Sequence, residues 1–295
     1  MTKQNTNSQP LNRHVLHLAA VLIQCLDEDL QDIVGCTASG FIRVENGKNY
    51  LYTCWHVVTG FDPSNIQTTN ELPNRKYIKV LMQNYQAEVE GISIIGGNRA
   101  FTLPLYDFDF DPPMPLWHQE IFDVDCLALN EINLRVPKFY DVIKIELPSD
   151  ILFSAYQVIY DNQLYLISGS DPLVTVGDKV YVVGFPYGYS FSGLDKPEAI
   201  TLTRFISSPG ANVHVPMLLD SIGAPGMSGA PVFVERNDKI QLFGIYLGSI
   251  YPDFSTLRNS ANIRPTDLGK VNNLSMVFLN DNSWPLIPQF NYLEH

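Results

Sequence analysis

The chain has 295 residues, 45% of them hydrophobic and 17% charged, and a formal net charge of -12. That composition supplies core material for one large domain or two halves sharing an interface, and it excludes global disorder. The acidic balance repels phosphate backbones and anionic lipid, so neither nucleic acid nor a membrane is an expected partner.

Residues 1–12 are polar and turn-rich and read as a tail. The apolar stretch VLHLAAVLIQC (15–25) is too short to span a bilayer. No charged segment leads into an apolar run with a small-residue cleavage site, so no signal peptide is read and a cytoplasmic location is expected. Strand signals then dominate. SGFIRV (39–44) and YLYTCW (50–55) flank ENGK, a hairpin turn centred on Asn46-Gly47. YIKVLM (77–82) and AEVEGISII (87–95) read as a further strand pair, and residues 96–118 as a loop rich in Pro, Asp, Gly and aromatics. VDCLAL (124–129) is a short buried strand, and YQVIYDNQLYLI (156–167) a hairpin around Asp161-Asn162. KVYVVGF (179–185), ITLTRFI (200–206), VHVPMLL (213–219), PVFVE (231–235) and IQLFGIYLG (240–248) complete the strands, with one helix expected near 266–279. Turn signals recur every 8–12 residues, a pattern that fits a sandwich or paired barrels. The four cysteines, Cys25, Cys36, Cys54 and Cys126, show no CxxC spacing, so zinc and thioredoxin-type readings lack support. A disulfide among them stays open, although a chain of this size without a secretion signal commonly keeps its thiols reduced. The final LEH looks like the start of a vector-encoded tag.

The candidate chemistry centres on GAPGMSGAPVF (223–233). Alone, GMSG is an ordinary tight turn. It is also what a nucleophile loop needs: Ser228 as nucleophile, Gly226 and Gly229 for unusual backbone shapes, and the N–H groups of Gly226 and Ser228 as donors to a developing oxyanion. The base has to be a histidine. His56, at the end of the apolar run YTCW, is the first candidate; His118, in PLWHQE, is the second and suits substrate or packing contacts better. For the orienting acid, Asp125 opens the apolar run of FDVDCLAL, with Asp123 as competitor. The order His56, Asp125, Ser228 is that of the chymotrypsin-like double barrel; an α/β-hydrolase would run serine, acid, histidine, and after Ser228 only His295 remains.

On these residues the chain resembles a trypsin-like (chymotrypsin-fold) serine peptidase, closest in style to the bacterial HtrA-type catalytic domain. GCTASGFIRVENGKNYLYTCWHVV resembles the hairpin leading to the catalytic histidine, DVDCLAL the acid-bearing strand, and VTVGDKVYVVGFPYG the opening of the second barrel. TLTRFIS with LDSIGAPGMSGAPVFV resembles the strand and nucleophile loop that follow, and LFGIYLGS the wall of the specificity pocket. The resemblance covers about residues 30–250. It implies an all-β fold of two antiparallel six-stranded barrels, at 13–140 and 141–260, with a short C-terminal helical extension at 261–292 and a tag remnant at 293–295. It implies a serine endopeptidase working through an acyl-enzyme, with His56 as base, Asp125 as acid, Ser228 as nucleophile, and Gly226 and Ser228 as the oxyanion hole. Neither metal nor cofactor is implied, and protein or peptide is the substrate. Ile222, at the pocket floor, with Leu247 and Gly248 on the wall, implies an apolar side chain before the scissile bond.

Four positions depart from the family pattern. Met227 stands where relatives have Asp or Asn, which removes the partner of a zymogen-derived N-terminus. Ala230 replaces a glycine, and Cys54 and Trp55 replace small residues before His56. About 40 residues follow the last expected strand, too few for the PDZ domain usual in HtrA proteins. A latent form awaiting a regulatory protein partner fits these departures, as does a silent fold kept as a protein-binding module.

Overall fold

The computed structural model describes residues 11, 13, 15–61, 73–85, 95–111, 113–121, 139–154, 156–164, 174–188, 198–208, 217–220, 224–236, 238–249 and 269–273. Sixteen strands and one short α-helix lie among them. Fourteen of the strands build two curled, mainly antiparallel sheets, the all-β double architecture that the strand spacing implies, and the other two pair with each other.

The first sheet is built on β1 (Ala20–Leu26), a wholly buried strand. It pairs antiparallel with β2 (Asp32–Glu45) on one side and β4 (Tyr77–Tyr85) on the other. A strand covered on both faces needs a continuous apolar run rather than alternation, which AAVLI in this segment supplies. β2 turns into β3 (Lys48–Thr53) through Asn46 and Gly47, at φ 50° and 80°. Positive φ at both residues is the type I′ geometry that matches strand twist, so the expected hairpin forms where Asn-Gly indicates.

β5 (Ile95–Pro104) pairs with β4, and β6 (Tyr106–Asp107) with β7 (Met114–Pro115). β8 (His118–Ile121) and β9 (Phe139–Glu146) extend the sheet beyond β3. Its order is β5-β4-β1-β2-β3-β9-β8, and β10 (Val158–Ile159) joins β2 in parallel as an eighth strand. The loop expected over 96–118 is therefore largely strand: glycine, proline and aspartate punctuate it because its strands are short or lie at the sheet end. Residues 161–163 form a 3-10 turn rather than a hairpin bend. The expected boundary at residue 140 runs through β9, which belongs with β10 to the first sheet; the six strands expected there are eight.

The second sheet closes into a barrel. Its strands are β11 (Lys179–Gly184), β12 (Ile200–Ser208), β13 (Met217–Leu219), β14 (Pro231–Arg236), β15 (Lys239–Ser249) and β16 (Gly269–Asn273), joined in the order β11-β12-β13-β16-β15-β14. β16 lies inside the region expected to be helical. It pairs with both β13 and β15, so over 269–273 a strand that completes the barrel stands in place of the expected helix; the rest of 261–292 lies outside the described residues. A five-residue segment with ladder partners on both sides has its backbone groups satisfied as a strand, which outweighs weak helical periodicity.

Alternation along β11 and β14 joins the two halves. Val180, Val182, Val232 and Val234 fill the barrel core, while Tyr181, Val183 and Phe233 pack with the apolar core of the first sheet. Period-two geometry sends neighbouring side chains to opposite faces, so an unbroken apolar run serves two cores at once.

Candidate active site

His56 lies on α1 (Trp55–Thr59), a single turn entered directly from β3. Gly60, at φ 78°, ends the turn and donates its N–H to His56 O at 2.9 Å. Arg75 Nη1 donates to the same oxygen at 2.7 Å and to Val57 O at 2.5 Å. The histidine backbone is thus fixed from below.

The carboxylate that meets His56 is that of Asp141. Its Oδ2 lies 2.7 Å from His56 Nδ1, and its Oδ1 accepts the His56 backbone N–H at 2.9 Å. The register explains the meeting. Thr53, the last residue of β3, pairs with Ile143 of β9. Continuing each strand past that pair brings Asp141 alongside the turn that carries His56. The Asp141 side chain is 9% exposed and that of His56 28%, so the acid is enclosed and the imidazole reaches solvent. A carboxylate on Nδ1 fixes the tautomer and leaves Nε2 for proton transfer. Asp125 and Asp123 lie outside the described residues. Sequence reasoning missed Asp141. The signal was FYDVIKIE, an aspartate inside an apolar alternating run, where a buried charge needs a partner.

Ser228 sits in the loop 224–230 between β13 and β14. Gly226 and Gly229 take φ of 91° and 86°. A Cβ at Gly226 would stand 2.4 Å from Phe185 O, and one at Gly229 2.1 Å from Ser39 O, so neither position admits another residue without displacement. Met227 N–H donates to Ala224 O, Gly229 N–H to Tyr246 O, and Ala230 N–H to Met227 O. The N–H groups of Gly226 and Ser228 have no such acceptor among the described residues. Met227 is fully buried in the barrel core.

Ser39, on β2 of the first sheet, holds this loop. Its Oγ donates to Gly226 O at 2.7 Å and accepts Phe185 N–H at 2.9 Å. Its backbone N–H donates to Ser228 O at 2.9 Å, and its own carbonyl accepts Thr53 Oγ1 at 2.9 Å. One fully buried serine therefore ties both glycine-flanked carbonyls to the strand pair that ends at His56. Tyr246 O adds a second tie, accepting Gly229 N–H at 2.8 Å and Cys54 Sγ at 3.4 Å. The residue just after Ser228 and the one two before His56 share that one oxygen.

Ser228 Oγ lies 3.4 Å from Leu247 O, and a Cβ on Gly248 would sit 3.9 Å from it. Leu247 and Gly248 thus border the serine, as the expected pocket wall would; Ile222 lies outside the described residues. His118 begins β8, opposite Lys144, with its ring edge-on to Tyr50, a packing contact within the first sheet.

Cys54, His56 and Asp141 bring three possible metal donors within 4.8 Å of one another. The 2.7 Å between Nδ1 and Oδ2 is a hydrogen-bond distance. Two ligands of a tetrahedral ion at about 2.0–2.1 Å would stand roughly 3.3 Å apart. The arrangement therefore suits proton chemistry better than an ion.

No protein-family model matches the chain, and no curated protein matches it. Among solved structures it is similar to a serine endoprotease from Yersinia pestis, at 17% identity and a TM-score of 0.44, over 91% of this chain and 64% of that one. The chain thus spans less than two thirds of that protein's length.

Proposed function

We propose that the chain is a serine endopeptidase that cleaves peptide bonds through an acyl-enzyme. The carrying observation is the double clasp of His56 by Asp141, at ring and backbone. In this reading Ser228 Oγ attacks the scissile carbonyl and His56 Nε2 takes its proton. Asp141 holds the tautomer and stabilises the imidazolium, then His56 returns the proton to the leaving amine. In this reading Asp141 takes the orienting role that the resemblance gave to Asp125. The N–H groups of Gly226 and Ser228, without an acceptor among the described residues, support their assignment as oxyanion donors. Leu247 and Gly248 border the serine, in keeping with an apolar residue before the scissile bond.

A second reading keeps the fold as a silent protein-binding module. The observation that favours it is the Ser228 hydroxyl, whose hydrogen bond goes to Leu247 O. Fluorophosphonate labelling separates the two. An active enzyme is labelled at Ser228, and Ser228→Ala removes both labelling and turnover, the latter by about 10⁶-fold as in triad dissection of another serine protease. A folded protein that resists the probe and leaves peptide panels uncut is the binding module.

A further inference from the structure

Outside the site, two thiols and a guanidinium meet at the end of the β1–β2 ladder. Gln24 pairs with Thr37, and the regular register ends there. Cys25 and Cys36 are the next residues on the two strands. Each stands one residue beyond that last regular pair, at the point where the ladder shifts register. Both are free thiols; Cys25 is buried and Cys36 half-buried. Cys36 stands where β2 passes from core to surface, two residues from the fully exposed Val34. An oxidant can therefore approach Cys36, while Cys25 is shielded behind it. Arg75, bound to His56 O and Val57 O, is the neighbouring cation, and Cys25 Sγ also lies 3.4 Å from Val57 O.

We propose that Cys25 and Cys36 form an oxidisable dithiol whose substrate class is hydroperoxides, with Cys36 attacked first and Cys25 resolving it to a cross-strand disulfide. The Cys36 thiolate attacks one peroxide oxygen; an S–O bond forms, the O–O bond breaks, and the departing hydroxide or alkoxide takes up a proton. Sulfur is oxidised by two electrons and the peroxide is reduced. Cys25, losing its proton, then attacks the Cys36 sulfenic sulfur; the S–S bond forms, the S–O bond breaks, and hydroxide leaves as water. With hydrogen peroxide, two thiols and one peroxide give one disulfide and two waters.

The local chemistry favours this order. A hydrogen bond from Cys25, together with the Arg75 charge, pulls the Cys36 thiol down to about 6 against the opposing effect of burial. Cys25 is pushed up by the bond it gives Cys36 and by burial. Reactive thiols are thiolates with access to solvent, and redox-sensing ones stand beside a resolving cysteine. Once Cys36 is a sulfenic acid, the anion that held the Cys25 proton is gone, and Cys25 becomes the easier thiol to ionise. The inference does not depend on the peptidase reading.

Peptide mapping tests it. The reduced native protein is treated with equimolar hydrogen peroxide at pH 7, unfolded, alkylated and digested. The expected result is a Cys25–Cys36 linked peptide, with both thiols lost together and Cys54 recovered alkylated. In Cys25→Ser, dimedone should trap a sulfenic acid on Cys36. Recovery of Cys36 as a free thiol, or its linkage to a different cysteine, overturns the proposal. If Cys25→Ser does not fold, the pH profile of Cys36 alkylation in the wild-type protein decides: a midpoint near 6 supports the assignment, and one at or above 8 overturns it.

Discussion

Ser39→Ala removes one oxygen and leaves two buried backbone groups without their partner. Gly226 O loses a donor at 2.7 Å and Phe185 N–H an acceptor at 2.9 Å. Each orphaned buried group costs about 1–3 kcal/mol. The pair therefore costs about 2–6 kcal/mol if the backbone stays in place. At roughly 2–4 °C per kcal/mol for a chain of about this size, Tm should fall by at least about 4 °C. The alternative is that the loop moves to find new partners. The Ser39 N–H bond to Ser228 O remains, so the movement concentrates at Gly226. In the peptidase reading, Gly226 supplies one oxyanion donor, and loss of one such donor lowers kcat by about 10²–10³-fold. Calorimetry and the rate of fluorophosphonate labelling read the two consequences separately. A variant that keeps both its Tm within 1–2 °C and its labelling rate within twofold refutes the reasoning, because Ser39 would then be a bystander. A lower Tm with unchanged labelling would keep the structural tie and remove its link to chemistry.

In the peptidase reading, Asp141→Asn should leave the fold intact and lower turnover near neutral pH by about 10⁴-fold, as loss of the tautomer-fixing acid does in a well-studied Ser-His-Asp triad; Asp125→Asn should stay within a few-fold of wild type, and the reverse ranking on a peptide substrate would return the acid's role to Asp125. Gly229→Ala combines a positive φ with a Cβ 2.1 Å from Ser39 O and 2.4 Å from Thr53 Oγ1; strain and overpacking at about 1–3 kcal/mol each should destabilise it in urea to about the same extent as Ser39→Ala, and an unchanged urea midpoint would show that the loop yields without cost. Acid should weaken the tie between Arg13 and the second barrel. Tyr181 and Arg13 hydrogen bonds hold the Glu235 carboxyl down at about 2, against its ordinary 4.5. A depressed carboxyl stabilises the fold fully above the unfolded value and loses that contribution as pH falls from about 4.5 through 2. Glu235→Gln should flatten the fall of Tm across that window; an unchanged acid limb would show that the pair contributes nothing measurable.

The Asn46-Gly47 hairpin and the glycine-bearing loop were legible because their causes are local. Asn46-Gly47 dictates its own turn, and GMSG carries the two glycines that its backbone requires. AAVLI reads in sequence only as an apolar stretch, and β1 emerges from its ladder partners on both sides. His56 and Ser228 were singled out as candidates by residue type and chain order. The carboxylate that meets His56 was not, because only the β3–β9 register brings Asp141 beside it. The same limit hid β16, whose weak local preference is overruled by two ladder partners far away in sequence. It also hid the answer to Met227. With no acid before the serine, the loop is held from the other sheet by Ser39, through contacts spanning 187 residues of chain. Local chemistry names what a residue can do; long-range pairing decides which residue is in position to do it.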